Sequence, residues 1–550
     1  MVNRCNKPKL INMEVKLPPQ KVFRTPRPLL ADAYTVGSDY FQSEKAKKKS
    51  VYYVVFRRKP HDFNPDLYQE GDDRIVFAGL TRIIEKLFYE PITHDEIDES
   101  IDFLKDFKTT TKGPKAYHFP EEMWRKIVDE YNGRPPIKIE AFPEGSVVYP
   151  NEPCIQITSE VEGMGEMAAW FEDILLQVWA ASERVTQNQH WFTWLKENVV
   201  LKVNPDYTEE EANFYTSLML HDFGARAAMV LEETEELGMY HLLTFPGTDS
   251  CAGAYQAWKM SDGIQFAGSV YALAHRNVQA FEKEKDCYQT LYDRSNDGDI
   301  SSYVADCYDF KNCVEQYLIP LAKHAISAEN GKIVVGRPDS GDALEQVIWI
   351  CKQAEENGLS ETLETSTGNW TTMTALRFLE GDGMKFPYMK KIILEMMNQK
   401  IAPHLSGLFG VGGGLRNELK RDNLSAKYAL CSMGDDNQGV VKFSEVPGKS
   451  TLPGPFKVLR DEESLANKTT VVHIDEEGES ALQVYYDGSN ISEPFGKVMW
   501  ELFGTWKKRL QETYENMPLS LDRDGERFPA SERLLNQRLE LLEKYAPNKA

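Results

Sequence analysis

Residues 50–56 (SVYYVVF) are a run of alternating apolar and β-branched side chains, which reads as a strand. Shorter apolar runs at 137–139 and 154–157 predict two more strands, and residues 75–89 carry apolar side chains near helical spacing. From about 210 to 430 the texture changes to short apolar strands followed by polar turns and helices. The clearest unit starts with Lys332-Ile333-Val334-Val335-Gly336, which feeds the turn Arg337-Pro338-Asp339-Ser340-Gly341. Asp342 and Glu345 then form a D-x-x-E helix start. Leu344, Val347, Ile348, Cys351 and Ala354 recur on one helical face, and Gly358 is a fitting stop. Strand, turn and amphipathic helix in that order make a β/α unit, and similar units are expected near Leu243 and Leu408. A β/α barrel is the economical arrangement, with chemistry at the C-terminal ends of its strands.

The last hundred residues predict strands at 471–473 and 481–486 and a charged helix over 531–545. The leucines of that helix, Leu534, Leu535, Leu539, Leu541 and Leu542, suggest packing on the body of the protein or on a partner subunit, with core packing the favoured role. The division that follows is a loose arm at 1–25, an α/β part at 26–205, the barrel at 206–430, and a segment at 431–550 that completes the second domain.

Charge narrows the function. Sixty-three Lys and Arg against 85 Asp and Glu leave −22 on 550 residues. Such a field repels a phosphate backbone, so no nucleic-acid partner is expected, while a local basic cluster can still hold a small anion. Eight cysteines without any CxxC pair point to reduced thiols in a cytoplasmic setting. No run reaches the ~18 apolar residues of a membrane span, so no membrane partner is expected either.

Several short motifs carry candidate chemistry. Gly410-Val411-Gly412-Gly413-Gly414 follows an apolar run and precedes the helix-like Leu415-Arg416-Asn417-Glu418-Leu419, an arrangement that suits a phosphate but also serves plain turns. Arg421, Ser425 and Lys427 downstream add donors and positive charge. Pro447-Gly448-Lys449-Ser450-Thr451 fails as a P-loop, because Phe443 stands where the first glycine belongs. Arg337 and Asp339 put a cation and an anion at the end of one strand, Asp249 ends a second, and Phe223 lies three residues from Arg226. A structural ion pair is the alternative for the first of these.

Taken in order, the motifs decide. HDFGAR (221–226), FPGTDSCAG (245–253), His275, VADCYD (304–309), RPDSG (337–341), GDG (381–383), FGVGGG (409–414) and Arg421-Asp422 resemble, part by part, the nicotinamide phosphoribosyltransferase family. LLADAY (29–34) and FRRK (56–59) are similar as well, so the likeness spans about 29–450. The segment departs from the family pattern at Ala274, where Glu is usual, and at Cys307, where Ser is usual.

The resemblance implies an α/β fold: an incomplete, TIM-like β/α barrel with a second α/β domain built from N- and C-terminal segments, in a homodimer with shared active sites. It implies transfer of phosphoribosyl from 5-phosphoribosyl-1-pyrophosphate (PRPP) to nicotinamide. Arg226, His275 and Arg337 would face the pyrophosphate, and Asp339, Gly381 and Asp382 the ribose. Gly412, Gly413 and Arg421 would take the 5′-phosphate, with Arg57, Ser425 and Lys427 nearby. The base would stack between Phe223 and a Tyr34 from the other subunit. Asp306 would orient His275, which ATP phosphorylates in the family, and Mg2+ would arrive with the polyphosphates. Asp249 would accept a hydrogen bond from a carboxamide, whereas a nicotinate carboxylate ~4 Å away would cost roughly 4 kcal/mol at an effective dielectric near 20. The alternatives are a nicotinate phosphoribosyltransferase and a non-catalytic nucleotide-binding protein of the same fold.

Overall fold

The computed structural model describes residues 24–107, 116–444, 450–460, 469–489, 501–521 and 529–546. The expected N-terminal arm lies almost wholly outside the described residues, as does most of the P-loop-like stretch at 447–451. In chain order, the strands of the two main sheets are β1 (Ser50–Phe56), β2 (Ile137–Ala141), β3 (Pro153–Ser159), β4 (Leu220–Asp222), β5 (Gly247–Thr248), β6 (Tyr271–Ala272), β7 (Ile300–Val304), β8 (Ile333–Arg337), β9 (Leu376–Glu380), β10 (Gly407–Val411), β11 (Ala426–Met433), β12 (Gln438–Gly439) and β13 (Gln483–Asp487).

One sheet is antiparallel throughout, in the order β12-β11-β1-β3-β2-β13, so N-terminal and C-terminal segments build it together. Its centre, β1, is buried on both faces except at Tyr52, which explains why it reads as a near-continuous apolar run. Nearer the edge, β2 alternates cleanly: Ile137, Ile139 and Ala141 face the core, while Lys138 and Glu140 lie partly exposed and pair at 2.8 Å.

The other sheet is parallel and runs β5-β4-β10-β9-β8-β7-β6. Gly268, just ahead of β6, bridges back to Gly247 of β5, so seven strands close into a ring where a full barrel has eight. The chain has left this ring by β11, ahead of the 430 read from the sequence. After β8, the helix Ala343–Glu356 starts where Asp342 accepts from the Glu345 amide at 2.9 Å. It buries Val347, Ile348, Cys351 and Ala354 but leaves Leu344 only partly covered.

Several expectations need correcting. The helix expected over 75–89 is only Leu80–Phe88; Ile75–Val76 pairs as a strand with Val147–Val148. Gly79 breaks the pattern at φ +108°, and a Cβ there would meet Ala181 at 2.9 Å. The strand expected near Leu243 is β5, displaced because Leu231–His241 is helical up to that point. After Gly412 the chain makes one 3-10 turn, Gly413–Leu415, in place of a helix, since Arg416 turns inward to a buried partner. The last helix, Glu532–Tyr545, packs on the body through Leu534, which joins the buried core, with Leu535, Leu541 and Leu542 half-buried; only Leu539 of the five leucines turns out to solvent.

Candidate active site

Strand β4 ends in Asp222, which is fully buried. Its Oδ1 accepts from the Gly224 amide at 2.7 Å and its Oδ2 from Arg416 Nη2 at 2.8 Å. Burial opposes its ionisation, but Arg416 and then the other donors hold its carboxyl below the usual range. This anchor fixes Phe223, whose own amide donates to Val411 O at 3.0 Å. The Phe223 ring lies so close to Gly410 and Gly381 that a Cβ on Gly381 would be 3.1 Å from Cε2, and one on Gly410 would overlap the ring. The Arg337 guanidinium sits 5.3 Å from the ring centroid.

Next along the ring, exposed Asp249 follows β5 and accepts a hydrogen bond from Ser269 Oγ at 2.6 Å on Oδ1. Beyond β6, His275 begins a short helix, with Nε2 2.9 Å from Asp306 Oδ1 and Nδ1 3.8 Å from Asp339 Oδ2. Asp306, just past β7, also accepts from Ser340 Oγ at 2.6 Å on Oδ2. Arg337, the last residue of β8, donates to Asp339 Oδ1 from Nε (3.0 Å) and Nη2 (2.5 Å). An ionised carboxylate only accepts, so Asp306 keeps the hydrogen on Nε2 and leaves the Nδ1 lone pair of a neutral His275 available. Asp306, His275, Asp339 and Arg337 thus form one continuous line along the strand ends.

The opposite wall starts at Glu380, the buried end of β9, whose Oε1 accepts from the Gly381 amide (2.8 Å) and the Asp382 amide (2.9 Å). Gly412 and Gly413 follow β10, part-buried. Arg421 is exposed beside Asp422 at 2.9 Å. Arg57, on the strand-end loop of β1, donates to Ser425 O (3.1 Å) and Ser425 Oγ (2.9 Å). Burial and then the neighbouring Arg421 push Arg57 down from the ordinary guanidinium range, so two cations face each other here. Lys427 lies on β11 near Glu172. Tyr34 is exposed, beside Glu172, Asp173 and Asp32, and no ring contact joins it to Phe223 within one chain among the described residues. Arg226 is exposed on the 3-10 turn Gly224–Ala227.

Sequence reasoning missed Asp222, Ser269, Glu380, Arg416 and Glu183 as supports of this site. Glu183, buried in the helix Val178–Leu195, accepts from the Lys420 amide at 2.9 Å and from Asn423 Nδ2, flanking Arg421. Asp222 inside the HDFGAR motif, Arg416 just after the glycine run and Glu380 directly before the GDG turn had local signals; Ser269 and Glu183 had none.

Residues 218–449 match the model of the nicotinate phosphoribosyltransferase (NAPRTase) family, and residues 28–139 match that of the nicotinamide phosphoribosyltransferase N-terminal domain. Over both stretches the chain is similar to the nicotinamide phosphoribosyltransferases. It is therefore a pentosyltransferase. A nicotinamide phosphoribosyltransferase of Xanthomonas campestris is 28% identical over 407 residues, covering 71% of this chain and 80% of that protein. One of Acinetobacter baylyi is 23% identical, covering 65% and 73%. Among solved structures, nicotinate-nucleotide pyrophosphorylase of Pyrococcus furiosus superposes with a TM-score of 0.55 at 12% identity, covering 91% of this chain and 98% of that one. Human nicotinic acid phosphoribosyltransferase gives 0.54 at 15%, covering 93% and 100%. At these identities the likeness is one of fold, and it is the fold of phosphoribosyl-transferring enzymes of this family. Among the described residues no helix is long and apolar enough to cross a membrane.

Proposed function

We propose that this chain transfers phosphoribosyl from PRPP to nicotinamide, giving nicotinamide mononucleotide and pyrophosphate in NAD salvage. The observation that carries the reading is the line of Arg337, Asp339, His275 and Asp306 at the strand ends, next to a Phe223 platform and the Asp249 carboxylate. The pyridine nitrogen lone pair forms the bond to C1′ as the C1′–oxygen bond breaks, and pyrophosphate leaves with that electron pair. Positive charge grows on the ribose and negative charge on the leaving group. Asp339 and Asp382 answer the first; Arg226 and Arg337, with His275 beside them, answer the second. Gly412, Gly413 and Arg421, supported by Arg57, Ser425 and Lys427, receive the 5′-phosphate.

Ser269 occupies one Asp249 oxygen and leaves the other for the carboxamide NH2 of nicotinamide, which disfavours nicotinate. Tyr34 closes the base pocket from a second copy. Support for a homodimer comes from the strongly exposed apolar run Met229, Val230 and Leu231, directly after the Arg226 turn. Mg2+ accompanies the polyphosphate substrates, and ATP phosphorylates His275: Nδ1 attacks the γ-phosphorus and ADP departs. The reading places the enzyme in the cytoplasm.

The test is product analysis by mass spectrometry, offering nicotinamide and nicotinate in parallel with PRPP and Mg2+, with and without ATP. Mononucleotide from nicotinamide, lost in Asp339→Ala, is the expected result. Product from nicotinate alone refutes the role of Asp249, and no product from either base refutes the enzymatic reading.

A further inference from the structure

Three carboxyl groups stand along the ribose side of the strand ends: Asp339 after β8, Glu380 at the end of β9, and Asp382 two residues on. The family resemblance implies ribose contacts for the first and last. Glu380 is different, because it is 1% exposed and faces the turn rather than the opening. Its Oε1 takes both amides of the turn, Gly381 at 2.8 Å and Asp382 at 2.9 Å. Its Oε2 is buried and finds no hydrogen-bond partner among the described residues. A buried anionic oxygen without a donor, near two other carboxylates, is a costly arrangement; a neutral acid there is not.

We propose that Glu380 is a positioning residue whose Oε1 holds the Gly381–Asp382 turn under the ribose while its Oε2 carries a proton whenever PRPP is bound. The inference rests on the phosphoribosyl-transfer reading above. The surroundings agree with it. Burial, and then the nearby Asp382 and Asp339, push the Glu380 carboxyl up to about 7 against the pull of the two amides. Asp382 faces it from its own turn and Asp339 from the loop after β8, where Arg337 and His275 are engaged with Asp339. From β10 the neighbour in register is the uncharged Phe409, and from β4 the Phe223 ring covers Gly381. No cation in this set bonds the Glu380 carboxyl. PRPP is itself a polyanion, so its arrival raises the proton affinity of Glu380 further. Binding and protonation therefore help each other. At pH 6.5 the group is mostly neutral and ready; at pH 8.5 it has to take up a proton for PRPP to bind.

The experiment is steady-state kinetics of wild type, Glu380→Gln and Glu380→Ala from pH 6.5 to 8.5, with nicotinamide saturating and PRPP varied. The wild-type KM for PRPP is expected to rise about 25-fold across this range, the ratio of the neutral fractions at pH 6.5 and 8.5 of a carboxyl that titrates near 7. Glutamine keeps the acceptor for both amides and replaces the protonated oxygen with a neutral NH2, so E380Q is expected to lose this rise and keep only the dependence that PRPP itself contributes. Alanine frees the turn, and E380A is expected to lose at least tenfold in kcat/KM relative to E380Q at pH 6.5. Comparing variants on one substrate cancels the titration of PRPP itself. A KM that rises with pH as steeply in E380Q as in wild type, or equal loss in E380Q and E380A, overturns the proposal. Absence of turnover in wild type would instead overturn the functional reading, so the two failures are distinct.

Discussion

Replacing Gly410 by alanine adds one methyl group to the molecule, and the structure says where it goes. The new Cβ would lie within the ring of Phe223, overlapping Cδ2 and Cε2. Ordinary carbon contacts need ~3.5–4 Å, so the ring has to retreat by about 1.5 Å. Its backbone cannot follow, because the Phe223 amide is tied to Val411 O at 3.0 Å and Asp222 before it is locked to Arg416. The side chain must swing, and overpacking of this kind costs about 1–3 kcal/mol of stability. Swinging also takes away the surface beneath Arg337 and the platform proposed for the base. A displacement near 1 Å at a reacting pair costs about a hundredfold. Gly410→Ala is therefore expected to lower kcat/KM for nicotinamide about a hundredfold, together with a lower Tm. The assay is a double-mutant cycle with Phe223→Ala, read by nicotinamide mononucleotide formation and by thermal unfolding. If the methyl acts through the ring, Gly410→Ala adds little once the ring is gone. Additive losses in the cycle, or a Gly410→Ala enzyme within twofold of wild type, would refute the reasoning.

Asp249→Ser should improve nicotinate use relative to nicotinamide by about tenfold, less than the full Coulomb figure because Asp249 is exposed and screened; competition between the two bases measures it. Arg416→Met leaves Asp222 buried without its counter-ion, and urea unfolding should report a loss of about 3 kcal/mol; a loss below ~1 kcal/mol would mean that another group takes over. Burial pushes His404 down to about 4 from an ordinary 6.5, so it stays neutral in the fold while the unfolded chain takes up a proton. Its stability contribution is present above pH 6.5 and is lost as pH falls towards 4, by about 1.4 kcal/mol per pH unit relative to His404→Gln, measurable by denaturant titration at pH 7.5, 6 and 5.

The sequence carried those parts of the fold that are written locally. Strand β1 is legible because seven strand-forming residues run without a breaker, and the helix Ala343–Glu356 because Asp342 caps it and Gly358 stops it. Arg337 and Asp339 were legible as strand-end chemistry and Asp306 and His275 through the family resemblance, and the structure brings their side chains into one line. What escaped depends on partners far away. Arg416 looked like a helix residue, yet its partner Asp222 is 194 positions earlier. Glu183 reads as one more charge in a helix, yet it binds Asn423 across 240 residues. Gly79 shows why apolar spacing misled at 75–89: a buried connector is apolar for the same reason a helix face is, and only the left-handed backbone separates the two.

The position of β1 also governs how the chain can be made. On one side it pairs with β3, which follows within about a hundred residues; on the other it waits for β11, whose Cys431 reaches Val51 across 380 residues. A ribosome adding 5–20 residues per second needs roughly 20–80 s to cover that distance. For that interval the nascent chain presents an apolar strand edge with neither proline nor charge to blunt it. The ring of parallel strands is completed during the same interval, so it is finished before the sheet that flanks it. A long wait with this edge unpaired is thus built into the order of the chain.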